Sequence, residues 1–212
     1  MYIQKNSGFR FLFMSYLCCF FLFGQQSAQA QPLPREQLFW LEEYVGRTTH
    51  DVIEDARFQT LLDTAVPKIS IDLGIPTPTK TPFSLRDAVS SVLTGPPDII
   101  KRVNERIVIS GCEYRYCLNK GFIWADPKNG SVIGALVHYK FGNDLNRFIK
   151  PGYREPSVLI YSSQISYNSL PKEFRLAISA WLQEKNVVLI EEWRFVGPDG
   201  KFIKIMDLTE SQ

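Results

Sequence analysis

The sequence predicts an α+β protein in which an antiparallel meander sheet packs between N-terminal and C-terminal helices. Three observations predict it. Up to about Val103 the apolar residues recur mostly at helical spacing. From there to Ile165, runs of β-branched and aromatic residues alternate with turn signals. One amphipathic helix then separates those strands from a closing hairpin.

Helical spacing runs from residue 34 to residue 65. Pro34 suits a first turn, and Leu38, Trp40, Leu41, Tyr44 and Val45 form an apolar stripe that Gly46 closes. Thr48 and Asp51 have the spacing of a capping box, with Val52, Ile53, Ala56, Leu61 and Leu62 following at helical intervals. The stretch VPKISIDLGIPTPTKTP, residues 66–82, is rich in Pro and Thr. It predicts an extended connector and the main internal boundary. Residues 31–82 thus read as an N-terminal helical segment with its connector, and residues 83–212 as the α+β domain. The domain opens on a short helix, capped by Ser84 with Asp87 and stopped by Gly95-Pro96-Pro97.

RIVIS, GFIWAD and SVIGALVHYKF predict three strands. Pro127-Lys128-Asn129-Gly130 turns the second into the third. SVLIYSSQI, residues 157–165, predicts a fourth strand. Leu170 to Asn186 is the clearest helix, opened by Pro171 and carrying Phe174, Ala177, Ile178, Trp181 and Leu182 on one face. VVLIEEWRFV and KFIKI, joined by Gly197-Pro198-Asp199-Gly200, predict the closing hairpin.

The first 30 residues predict a secretory signal peptide. Lys5 and Arg10 form a basic start, residues 11–23 are almost wholly apolar, and Ala28 and Ala30 stand where a signal peptidase reads small residues. The expected location is therefore outside the cytoplasm, with a bacterial periplasm favoured. Lys5 and Arg10 account for the whole excess of 24 Lys+Arg over 22 Asp+Glu, so the remaining chain is neutral and no nucleic-acid partner is expected. Cys18 and Cys19 leave with the signal, and Cys112 and Cys117 remain. A close pair in an oxidising compartment predicts a disulfide, worth ~2 kcal/mol for so short a loop. A domain of this size does not need that for its core, so the staple is expected to fix the loop's shape.

Enzyme motifs are scarce. His50 and Glu54 have helical spacing that can hold a metal, but the pattern also describes a solvated helix face. Cys112, Cys117, His50 and His138 are possible zinc ligands, but export favours the disulfide. Ser169 to Lys172 matches SxxK, yet Pro171 makes the segment a helix start, with Ser169 or its neighbour as cap. No catalytic residue, cofactor or metal is assigned, and the chain is expected not to be an enzyme.

Two stretches suit binding instead. Between the cysteines, Glu113, Tyr114, Arg115 and Tyr116 would form a preformed protrusion rich in residue types that anchor interfaces. A second, basic and aromatic loop offers Arg147, Phe148, Lys150, Tyr153 and Arg154 as secondary contacts.

The segment VISGCEYRYCLNKGFIWADPKNGSVIGAL, residues 108–136, resembles the Ivy family of periplasmic inhibitors of vertebrate lysozyme. That family runs a strand into a Cys-x-Pro-His-x-Cys loop. A second strand with an aromatic residue follows, then a polar turn and a third strand with a small residue before apolar ones. Cys112 and Cys117 match the loop cysteines, Trp124 the aromatic, and Gly134 with Leu136 the third strand. The resemblance implies a meander sheet between helical layers and a stapled loop that enters a lysozyme cleft. The chain departs from the pattern at the tip, where Tyr114-Arg115 replaces Pro-His and Arg115 stands at the position of the family's inserting histidine. The expected function is an exported protein that presents this loop to a protein partner, a lysozyme-like muramidase or an envelope protein, with no stable membrane insertion once the signal is removed. The alternative is a periplasmic structural or envelope-assembly protein of the same fold.

Overall fold

The computed structural model describes residues 32–71, 83–139 and 156–208. The segment expected to be a secretory signal and the expected secondary contacts Arg147, Phe148, Lys150, Tyr153 and Arg154 lie outside the described residues.

The N-terminal part is four short helical pieces. They are α1 (Glu36–Phe39), a 3-10 turn (Trp40–Tyr44), α2 (Thr49–Ile53) and α3 (Ala56–Ala65). The capping box at Thr48 and Asp51 is present, and the Asp55 side chain, not singled out in the sequence, caps α3 by accepting from the Arg57 N–H. Two two-residue strands, β1 (Ser70–Ile71) and β2 (Phe83–Ser84), pair antiparallel across the connector. Helix α4 (Leu85–Ser91) starts as expected, with the Ser84 hydroxyl accepting from the Asp87 N–H.

Seven strands form the main sheet, in sequential order: β3 (Lys101–Val103), β4 (Arg106–Glu113), β5 (Tyr116–Asp126), β6 (Ser131–Tyr139), β7 (Pro156–Tyr161), β8 (Glu192–Val196) and β9 (Phe202–Ile205). The first five make the antiparallel meander. Helix α5 (Lys172–Glu184) then crosses over, so β8 joins β7 in parallel, and β9 closes the sheet antiparallel.

The period-two alternation sorts the strands onto two faces. Ile107, Ile109, Ile123, Ala125, Val132, Leu136 and Tyr161 share one core with Leu38, Leu41, Val52, Phe58, Leu62 and Leu85 of the N-terminal helices. Val108, Phe122, Trp124, Ile133, Val137, Val158 and Ile160 share the other with Phe174, Ile178, Trp181 and Leu182 of α5. Phe122 meets Trp181 at 5.0 Å between ring centroids, and Trp124 meets Phe174 edge-on at 6.0 Å. Each buried Val, Leu, Ile or Phe among them stabilises the fold by roughly 1.5–3 kcal/mol. The sheet therefore lies between helical layers.

Three strand boundaries differ from expectation. Strand β3 was not anticipated. Asn104 and Glu105, both at positive φ, turn it tightly into β4. Strand β7 stops at Tyr161 instead of Ile165, because the buried Ser162 hydroxyl accepts from the N–H groups of Gln164 and Ile165 and ends the ladder. Residues 187–191 are not strand. The Val187 N–H returns to the Leu182 carbonyl as α5 ends, Asn186 and Leu189 adopt positive φ, and the Glu191 N–H bonds the Pro156 carbonyl. Ser169 does not cap α5. It sits in a 3-10 turn (Tyr167–Ser169) facing the Ser166 hydroxyl at 3.1 Å, and α5 has no side-chain cap.

Candidate functional site

The β4–β5 hairpin ends in the two-residue tip Tyr114-Arg115, between the paired residues Glu113 and Tyr116. Just below the tip the ladder is irregular. Cys112 pairs with Lys120 and Glu113 with Tyr116, so Cys117, Leu118 and Asn119 have no partners on β4. The Cys112–Cys117 disulfide closes across this gap, with 4.8 Å between Cα atoms. The staple thus replaces missing ladder bonds and holds a bulged strand end in one shape. Side chains complete the closure. Buried Asn119 donates from Nδ2 to Glu113 Oε2 at 2.6 Å, and Lys120 Nζ donates to the Cys117 carbonyl. Burial first, and then repulsion from Lys185, lowers the Lys120 pKa.

At the tip, Tyr114 is 62% exposed, and the Arg115 guanidinium lies 5.1 Å from its ring centroid. Among the described residues that guanidinium has no carboxylate partner. Arg115 has φ +64, a left-handed conformation costing a non-glycine residue roughly 1–2 kcal/mol. The surrounding closure holds it there.

A buried base supports the hairpin from the α4 side. The Gly95 N–H bonds the Cys112 carbonyl at 2.7 Å, and the backbone there leaves no room for a Cβ on Gly95. The Gly95 carbonyl lies 2.8 Å from His50 Nε2. His50 is therefore engaged with this backbone, and among the described residues no group of three or more metal-ligating side chains gathers around it. One step further, Asp98 organises the β4 end. Its carboxylate accepts from Ser110 Oγ at 2.7 Å and pairs with Lys185 Nζ at 2.8 Å. Its backbone carbonyl accepts from the N–H of fully buried Thr49, whose hydroxyl donates to the Ser110 carbonyl at 2.7 Å. Helix α2, the α4–β3 segment and the end of α5 thereby converge beneath the staple.

Asp98→Ala is expected to lower stability by about 2 kcal/mol, because Lys185 and Ser110 lose their acceptor in a partly buried setting. Asp98→Asn, which keeps an acceptor for Ser110, is expected to lose about half that. Urea denaturation midpoints of the two variants check the order.

Of the residues singled out in the sequence, the hairpin brings together Cys112, Glu113, Tyr114, Arg115, Tyr116 and Cys117. Glu113 is turned inward to Asn119 instead of standing free. Sequence reasoning missed Asn119, Lys120, Gly95, Asp98 and Thr49. The only local signal for any of them was the Gly-Pro-Pro stop after α4. Both cysteines are in the disulfide, so neither offers a thiolate. The arrangement suits docking: a short, closed protrusion with one aromatic and one cationic side chain at its end.

Comparison with protein-family models, with curated proteins and with solved structures finds no match to this chain.

Proposed function

We propose that the protein is an exported binding protein that inserts the Tyr114-Arg115 tip into a carboxylate-lined cleft of a protein partner, and that the partner is a lysozyme-like muramidase. One observation carries the reading: an exposed guanidinium without a carboxylate partner among the described residues sits at the end of a two-residue hairpin tip closed by a disulfide. A retaining glycosidase cleft holds two carboxyl groups, one of them ionised. A guanidinium offers a permanent charge and a planar fork that meets a carboxylate in two places. Because the hairpin is already closed, little ordering is lost on docking. The inward turn of Glu113 supports the same reading, since its charge is engaged by Asn119 at the hairpin's side and not carried by the tip.

The test is a cell-wall lysis assay with vertebrate lysozyme and the disulfide-intact protein beginning at Gln31. Stoichiometric inhibition is expected, weakened about 30-fold by Arg115→Ala, the effect of removing one partner from a desolvated charge pair. Reduction of the disulfide is expected to weaken it as well. No inhibition at large excess overturns the muramidase assignment. An unchanged inhibition constant in Arg115→Ala overturns the role of the tip.

A further inference from the structure

A groove of about 280 Å³ opens between α1 and α3. It lies at the opposite end of the sheet from the stapled hairpin, because the Leu33 N–H that fixes one wall bonds the Gly130 carbonyl in the β5–β6 turn. Buried Leu33 and Leu61 supply an apolar floor. Trp40 forms a wall and is only partly buried, whereas Trp124, Trp181 and Trp193 are at most 4% exposed.

The indole of Trp40 is held from three directions. Its Nε1–H donates to the Gln37 carbonyl at 2.8 Å, the Tyr44 ring meets it edge-on at 5.8 Å, and the Arg57 guanidinium lies 4.6 Å from the ring centroid. Arg57 is itself paired with Asp55 at 2.7 Å and Glu43 at 3.1 Å. It therefore orders the indole but offers no unpaired charge. The rest of the rim is polar. Glu36 and Gln37 are exposed, and neither side chain is bonded to another among the described residues. The Thr60 and Thr64 hydroxyls donate to carbonyls one turn back, which leaves their oxygens as acceptors.

We propose that this groove binds a neutral saccharide of one or two pyranose rings, its C–H face against Trp40 and its hydroxyls donating to Glu36, Thr60 and Thr64. An anion has no unpaired cation to meet there. A wholly apolar ligand would desolvate the rim acceptors without bonding them. The volume lies at the lower limit of small-molecule pockets, which start at about 300 Å³, and excludes a bulky occupant. A rigid, partly exposed aromatic beside several acceptors fits a ligand that is apolar on one face and rich in hydroxyl donors at its edge. The proposal does not depend on the role of the hairpin.

The test titrates the disulfide-intact protein with chitotriose and with maltotriose, read by tryptophan emission and by saturation transfer to the sugar protons. The emission change would report Trp40, the one tryptophan open to solvent. A saturable response to at least one trisaccharide is expected, weakened about tenfold by Glu36→Gln, which replaces a charged acceptor with a neutral one. It is expected to be lost in Trp40→Leu. Thr64→Val, on the exposed side of α3, provides a second variant should Trp40→Leu fold poorly, and it is expected to weaken binding several-fold. No saturable response to either sugar overturns the proposal, as does undiminished binding in Thr64→Val together with Trp40→Leu. A response to benzamidine and not to sugars, abolished by Glu36→Gln, also overturns it and makes the groove a cation site.

Discussion

Gly134→Ala is expected to lower stability by about 3 kcal/mol, the upper end of ordinary overpacking costs. Gly134 pairs with Tyr161 across β6 and β7, and the Tyr161 ring lies directly over it, occupying the space where a Cβ would stand. The ring has nowhere to go, since Tyr161 is 2% exposed within the core under the N-terminal helices. Its hydroxyl is buried without a hydrogen-bond partner among the described residues, and burial pushes its pKa well above the ordinary tyrosine value. Three further variants isolate the cause. Tyr161→Phe is expected to be neutral or slightly stabilising, because it removes a polar group that nothing satisfies. Gly134→Ala combined with Tyr161→Leu is expected to cost less than the sum of the two single changes, because the added methyl then meets a smaller side chain. Urea denaturation of the unchanged protein, of Gly134→Ala, Tyr161→Phe and Tyr161→Leu, and of the double variant decides the matter. Strict additivity would show that the methyl is resisted by something other than the ring.

This packing explains in physical terms why a small residue stands in the third predicted strand. Elements whose cause is local were legible in the sequence. The Thr48–Asp51 box, the Ser84 cap, the Asn-Gly turn and the apolar face of α5 each depend on residues within a turn or two. The α+β class followed from where the helical period gives way to alternation. Residues 187–190 misled because a run of Val, Val, Leu and Ile has the same composition whether it forms a strand or leaves a helix. The left-handed backbone at Asn186 and Leu189 carries no glycine to announce it. The parallel placement of β8 depends on how α5 crosses the sheet, which spacing does not encode. At the hairpin, the cysteine pair pointed to the staple and to the exposed tip. It did not reveal the bulge, because register is a property of two strands together. Asp98 and Lys185 lie 87 positions apart and Thr49 and Ser110 lie 61 apart, so the base beneath the staple exists only in three dimensions. The same holds for Trp40 and Arg57, whose stacking turns two ordinary helix residues into a groove wall.

Acidification from pH 7 to pH 4 is expected to cost about 2–3 kcal/mol of stability through His138 alone. This residue on β6 is partly buried beside Ser157 of β7, its register partner, and Ser157 in turn pairs with Glu192 of β8 on the same face. Among the described residues neither His138 Nε2 nor Ser157 Oγ has a hydrogen-bond partner, and Glu192 is engaged by Arg194 at 2.8 Å. Burial lowers the His138 pKa from the ordinary 6.5 to about 4. In the unfolded chain His138 takes up a proton as pH falls through 6.5, while in the folded protein it resists until about pH 4. The unfolded state therefore gains protons first. Stability is full above pH 6.5, is lost progressively between 6.5 and 4, and has no further dependence on this group below that. At ~1.4 kcal/mol per pKa unit the loss approaches 3 kcal/mol, less whatever the partly buried site relaxes. The window stands apart from that of Asp51 and Asp55. Hydrogen bonds hold those carboxylates below the ordinary aspartate value of 3.8, so their contribution is lost only as pH falls below that value. Urea denaturation at pH 7, 5.5 and 4 is expected to show the decline in the native chain and a much flatter profile in His138→Leu. An equal decline in both would assign the acid sensitivity to other groups.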